Sequence, residues 1–131
     1  MAESVIIDAS AMVDLLVGSP MAVAVQHRLR GHEVHVPAHF DAEVLSALGR
    51  LQRAGELTVR QVTTRLRRVS AAPLQRHPLA PLLNGAWKLR HILRLVDALY
   101  VELANRLDAP VVTTDARLAA ASPVAELLPT N

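Results

Sequence analysis

The sequence predicts an α/β fold built on a short, mostly parallel sheet flanked by helices. Short β-branched runs stand at Val5–Ile7, Val34–Val36 and Val111–Thr113. Apolar residues at helical spacing lie between them, over stretches long enough for the crossovers that parallel strands require. The 131 residues are 51% hydrophobic and 20% charged, apolar enough to close a core over both faces of such a sheet. That composition is incompatible with a disordered chain. No run of about 18 uncharged apolar residues offers a membrane span.

The elements follow in order. Val5–Ile7 ends at Asp8, and Ala9–Val17 reads as a helix. Gly18-Ser19-Pro20 breaks it. Ser19 is the candidate N-cap and Pro20 the first position of a second helix, from Met21 to Arg30, closed by Gly31. Val34–Val36 stops at Pro37. From Ala38 to Ala54, Phe40, Val44, Leu48 and Leu51 recur at helical spacing, and Gly55 ends the helix. Thr58 caps a further helix through Val69. Residues 73–85, with Pro73, Pro78, Pro81 and Gly85, read as turns. Helices are expected at Trp87–Leu93 and Val96–Leu107, the second striped with Val96, Leu99, Tyr100, Leu103 and Leu107. The strand Val111–Thr113, a short helix Ala116–Ala121 and a last strand over Val124–Leu128 complete the chain. With no internal repeat and no linker between two cores, residues 1–131 read as one domain.

Composition narrows the chemistry. With no cysteine, disulfides, thiolate zinc sites and thiol catalysis are excluded. Fourteen basic and twelve acidic residues leave a net charge of +2, which neither requires nor excludes a nucleic-acid partner. Phe40, Trp87 and Tyr100 are the only Phe, Trp or Tyr residues, too few for a base-stacking sheet of the RRM or OB type. The start MAESVII lacks the basic, then apolar, pattern of a secretory signal, so a cytoplasmic location is expected. No glycine-rich phosphate loop occurs.

Chemistry is therefore sought among acids at element junctions. Ligands of open parallel sheets bind beyond the carboxyl ends of the strands, where Asp8 and Asp115 stand after two apolar strands. Carboxylates at the ends of neighbouring strands repel unless a cation or a proton lies between them. Asp97 opens the helix Val96–Leu107, and Glu43 lies in the first turns of the helix from Ala38, with Asp41 competing for the same role. Each of Asp8, Asp97 and Asp115 taken alone is also a good helix cap. His32, His35 and His39 straddle a strand and a proline, a poor arrangement for a metal. Arg65, Arg67 and Arg68 read as a solvated helix face. Arg90 and Arg94, one turn apart just before Asp97, are better placed to hold RNA phosphate or to neutralise the acids.

Taken together, VIIDAS at 5–10, the acid in HFDAEVLSAL at 39–48, VDALYVELANRL at 96–107 and VVTTDARLA at 111–119 resemble the PIN domain family, and its VapC-type toxins in particular. The resemblance covers nearly the whole chain and implies a PIN-like α/β/α sandwich. It matches the family's acidic positions to Asp8, Glu43, Asp97 and Asp115, which selects Glu43 over Asp41, with Ser10 and Thr113 as supporting hydroxyls. Arg117 stands where some relatives carry a further acid of a second metal site, and Val96 where Tyr is common.

What the resemblance implies is an endoribonuclease toxin that uses one or two Mg²⁺ or Mn²⁺ ions, held by Asp8, Asp97, Asp115 and Glu43. It also implies an RNA substrate, inhibited translation, a cognate antitoxin over the acidic cleft, and a homodimer. Hard carboxylate oxygens suit these ions, and a metal-activated water suits phosphodiester hydrolysis. The alternative, a non-catalytic PIN-like RNA- or protein-binding module, predicts lost acids, and all four are present. A phosphoacceptor receiver domain needs paired acids after the first strand and a lysine on a late one. Here only Asp8 and a helical Lys88 are available.

Overall fold

Val5–Ile7 and Val111–Val112 lie side by side at the centre of a five-stranded, wholly parallel sheet. The computed structural model describes residues 2–129. The elements are β1 (Ser4–Ile7), α1 (Ala9–Val17), α2 (Ala22–Leu29), β2 (Glu33–Pro37), α3 (Phe40–Arg53), α4 (Val59–Ala71), β3 (Leu74–His77), α5 (Leu83–Trp87), α6 (Leu95–Leu107), β4 (Val111–Thr113), α7 (Ala116–Ala121) and β5 (Ala125–Leu127). The strand order is β3-β2-β1-β4-β5. The chain thus runs outward from β1 through β2 to β3, then returns to the other side of β1 as β4. That reversal puts a topological switch point between the carboxyl ends of β1 and β4.

The central strands are almost wholly buried, as their β-branched runs require: Ile6, Ile7, Val111 and Val112 are all 0% exposed. Phe40, Val44 and Leu48 of the predicted α3 stripe are buried with them, and Leu51 packs at the margin. α6 lies across β1, β2 and β4 and buries Ala98 through Val101 along with Leu103 and Ala104. Local signals set several helix ends. Gly18 ends α1 in the left-handed region (φ 70°), which a residue without Cβ adopts without strain. Thr58 and Gln61 form a reciprocal capping box at the start of α4.

The structure corrects several sequence expectations. Leu74–His77, inside the stretch read as turns, is the edge strand β3, paired parallel with β2. Its side chains are largely exposed or half-buried, so it lacks the apolar pattern of a central strand, and the flanking prolines bound it without interrupting it. His35 at its boundary is 5% exposed, and its Nδ1 lies 2.8 Å from His77 Nε2 across the strand pair. One ring donates and the other accepts, and burial together with His35 lowers the His77 pKa below 6.5. The helix expected over Trp87–Leu93 is instead α5, ending at Trp87, followed by turns. α2 begins at Ala22, later than expected. Ser19 accepts from the Met21 amide at 3.1 Å in the preceding turn and does not cap the helix itself. Pro37 is the last residue of β2, and α3 starts at Phe40, two residues after Ala38. Val96, placed on the buried stripe of α6, is 43% exposed.

The α3 stripe yields a direct check. Leu48→Ala is expected to lower the unfolding free energy by about 2–5 kcal/mol through the cavity it leaves. Leu45→Ala, on the outer face of the same helix, should change it by about 0.5 kcal/mol or less. Urea melts of the two variants measure both, and equal losses would contradict this assignment of faces.

Candidate active site

The parallel register of β1 and β4 builds the site. Ile7 pairs with Val112, which sets Asp8 beside Thr113 at the strand ends. The Asp8 amide donates to the Val112 carbonyl at 3.2 Å. The Thr113 hydroxyl donates to Asp8 Oδ2 and itself accepts from the Asp115 amide at 2.9 Å, so one buried side chain ties the two acidic positions together. On the other oxygen, Asp8 Oδ1 accepts from the Ser10 hydroxyl at 2.8 Å and from the Ala11 amide at 3.0 Å. Asp8 therefore caps α1, as any junction acid can, while its carboxylate stays at the sheet edge. Asp115 likewise caps α7 by accepting from the Arg117 amide at 2.9 Å.

Asp8 is 5% exposed. Burial is the main cause that raises its pKa above the usual carboxylate value, the three hydrogen bonds oppose this, and the nearby Asp115 charge adds to the rise. Asp97 reaches the same edge from the first turn of α6. Contrary to the sequence expectation it does not open that helix, whose N-cap is Arg94. Arg94 grips Asp97 through Nε at 2.9 Å and Nη2 at 3.4 Å, and its charge is further stabilised by Asp115 and Glu43. Asp97, Asp115, Arg94 and Arg117 line one cleft of about 150 Å³, floored by Leu93 and Leu118.

Glu43 is held from two sides. Tyr100, 1% exposed, donates its hydroxyl to Glu43 Oε1 at 2.7 Å, and His39 Nε2 lies 3.5 Å from the same oxygen. Burial, then the Glu43 bond, raises the Tyr100 pKa far above the ordinary phenol value, so the hydroxyl stays a donor. Asp41 turns away and forms a two-pronged ion pair with Arg76 at 2.6 and 3.0 Å. Two residues apart on a helix face different ways, and these partners separate the roles that the sequence left level.

Sequence reasoning missed Tyr100, His39 and Asp14 as members of this neighbourhood. Tyr100 sat on an apolar stripe, and its hydroxyl was the available signal. His39 precedes Glu43 by one helical turn. Asp14 accepts the Thr114 hydroxyl at 2.6 Å beside Ser10. Arg90 does not reach the acids: it lies over the Trp87 ring and donates to the Trp87 carbonyl at 3.0 Å. The three early histidines scatter, His32 to the Arg30 carbonyl, His35 to His77 and His39 to the Val96 carbonyl.

All the ligating atoms offered at this edge are oxygens of carboxylates and hydroxyls, the donor set that hard divalent cations take. The Asp115 charge raises the cost of ionising Asp8, and no basic side chain among the described residues pairs with Asp8. A cation there would answer both. Among the described residues no three His, Asp or Glu side chains are gathered closely enough to enclose an ion as they stand. The carboxylates instead rest on Thr113, Arg94, Tyr100 and the α7 amides.

A five-stranded parallel sheet with acids at the β1–β4 switch point defines a fold class, and comparison with known proteins identifies it. The chain belongs to the PIN domain family, whose model matches residues 5–122. It is 55% identical over 127 residues to Ribonuclease VapC3 of Mycobacterium tuberculosis, covering 96% of this chain and 93% of that one. Among solved structures it resembles VapC20 of the same species, described as a sarcin-ricin loop cleaving toxin, with a TM-score of 0.69 and 18% identity over 95% of this chain and 99% of that one. It also resembles a chain of a toxin–antitoxin complex from Klebsiella pneumoniae, with a TM-score of 0.63 and 12% identity over 93% and 95% of the two chains. The expected family and α/β/α sandwich class are thus borne out.

Because the buried Asp8 carboxyl titrates above its unfolded value, folding is favoured by its protonated form, and that contribution fades as pH rises through the folded pKa. Asp8→Asn, neutral at every pH, is therefore expected to melt at or above the wild-type temperature at pH 7.5 in EDTA. The gap should narrow as pH falls towards 4. Thermal melts across this range check the sign, and an Asn variant that is less stable at pH 7.5 would contradict it.

Proposed function

We propose that the chain is a VapC-type toxin: a divalent-metal-dependent endoribonuclease that hydrolyses RNA phosphodiesters, blocks translation and is neutralised by a cognate antitoxin. The observation that supports this is the tie of Asp8 to the Asp115 position through Thr113 at the β1–β4 switch point, beside a cleft lined by Asp97 and Asp115, with Glu43 bonded to Tyr100. The identity to a VapC ribonuclease over nearly the full chain supports the activity. Residues 1–131 are proposed to be one such domain, acting on cytoplasmic RNA. No single helix among the described residues is long and apolar enough to cross a membrane.

Asp8 and Asp115 are assigned as principal ligands of Mg²⁺ or Mn²⁺, one or two ions, with Asp97 and Glu43 as further ligands or water-orienting groups. Such an ion, when bound, lowers the pKa of a coordinated water and offsets charge on the phosphate under attack. The remaining work falls to the chain itself. Ser10 and Thr113 donate to the two Asp8 oxygens and fix the carboxylate plane. Because the Ser10 proton is committed to Asp8, its hydroxyl serves to position the carboxylate, and a covalent serine intermediate is disfavoured. Tyr100 holds Glu43, and Arg94 and Arg117 supply positive charge at the cleft for phosphate oxygens. The antitoxin is proposed to cover the acidic cleft, and a homodimer to use the outer face of α3 and α4. There Leu45 and Val59 are 55% and 68% exposed, beside a groove of about 530 Å³.

The test incubates purified chain with total cellular RNA in EDTA, Mg²⁺ or Mn²⁺. Cleavage is expected only with metal, and Asp8→Asn and Asp115→Asn should each reduce it by at least about 100-fold. Cutting that survives EDTA or both substitutions would overturn the assignment. Tyr100→Phe keeps the core volume but frees Glu43, and should cost about 10–100-fold in cleavage rate with little loss of stability. Parallel rate and melting measurements separate the two effects.

A further inference from the structure

The turn between α5 and α6 carries a feature that the acidic site does not use. Trp87 is 56% exposed, an unusual position for a side chain of its size. Arg90 covers one of its faces, with the guanidinium carbon 4.7 Å from the ring centroid, and is fixed there by its bond to the Trp87 carbonyl. Trp87 also lines an open groove of about 370 Å³, with Leu83, Asn84, Leu95 and Val96. Asn84 is the one polar side chain in that lining, and its amide offers both donors and an acceptor. The groove and the acidic cleft are lined by successive residues of the chain: Ile92–Arg94 line the cleft, and Leu95 and Val96 line the groove.

Charge indicates what this surface takes. Eight of the fourteen basic residues and none of the twelve acids fall between Leu57 and Val96. Three exposed side chains of the Trp87–Arg94 turn, Lys88, Arg90 and Arg94, carry positive charge. An exposed aromatic ring and an apolar slot, flanked by Lys88, Arg90 and Arg94, with Glu102 packed against Gly85 and Asp97 paired to Arg94 as the nearby carboxylates, match a polyanion with flat apolar bases. Such bases are exposed only where RNA is unpaired.

We propose that Trp87, backed by Arg90, is a platform on which one unpaired base of the RNA substrate stacks beside the acidic cleft, with Asn84 meeting the base edge and Lys88 and Arg94 the flanking phosphates. This rests on the ribonuclease reading above and adds a binding subsite to it. It also refines the sequence-based exclusion of a stacking sheet: one aromatic makes a single subsite, not a surface that tracks a strand.

Trp87 is the chain's only tryptophan, so its fluorescence reports this site alone. The full-length Asp115→Asn chain is titrated with mixed-sequence single-stranded RNA of about 10 nucleotides, and with a ribose-phosphate strand of the same length that lacks bases. RNA should quench the emission and bind about tenfold more tightly than the abasic strand. In that background Trp87→Ala should abolish the preference, while Trp87→Phe, read by competition, should retain most of it. In the otherwise wild-type chain, Trp87→Ala should raise KM for RNA cleavage about tenfold and leave kcat within about twofold.

Unchanged emission at saturating RNA, or equal affinity for the two strands, overturns the platform. So does a Trp87 signal that tracks protein concentration without RNA and a dimer lost in Trp87→Ala, which would make this face an interface between copies. The two readings fail separately. RNA cutting with an unaltered KM in Trp87→Ala removes the platform alone, and base-dependent quenching by a chain that cuts no RNA removes the nuclease alone.

Discussion

A carboxylate buried at the end of a central strand is the constraint around which this molecule is organised. Asp8 cannot move outward, because β1 is hydrogen-bonded on both sides and its side chains are enclosed. It must therefore be satisfied where it stands. Ser10 and the Ala11 amide serve one oxygen and Thr113 the other. All three sources depend on the fold: the first two on α1 starting immediately after β1, and the third on β4 returning beside β1. The bonds restrain the desolvation penalty without cancelling it, and the residual destabilisation of the charged form is the physical reason for regarding this edge as a site.

The same economy extends outward. Thr113 serves Asp8 and orders the Asp115 amide, so the distance between the two acids depends on one hydroxyl. Arg94 holds Asp97 and lies close enough to Asp115 and Glu43 to feel their charge, which places an exposed cation among acids that would otherwise repel one another. Its side chain is 65% exposed, so the pair is screened and readily rearranged when an anion or a cation arrives. Tyr100 makes the opposite kind of contact, a buried neutral donor with a single assignment.

Part of the site was legible in the chain because its determinants are local. β-branched runs show as strands without their partners, the α3 stripe follows from helical period, and acids at junctions can be located by counting. Even the competing capping interpretation was sound: Asp8 and Asp115 both cap helices and are also proposed as metal ligands, since the amides at a helix start and the end of a parallel strand occupy the same place in space. Resemblance to the family selected Glu43 over Asp41. The physical grounds for that choice lie 57 and 35 residues away, in Tyr100 and Arg76.

The sequence by itself determined the α/β class, the central strands, most of the helices and the placing of Asp8 and Asp115 at strand ends. Each of those depends on neighbours within a few turns, where composition and period act directly. Tertiary structure alone decided that Leu74–His77 is a strand, because an edge strand takes its identity from hydrogen bonds to β2 and not from an apolar pattern of its own. It alone joined Asp8 to Thr113 across 105 positions. It also left Trp87 and Val96 facing solvent beside the cleft, since residues that look like core by spacing are buried only if another element arrives to cover them.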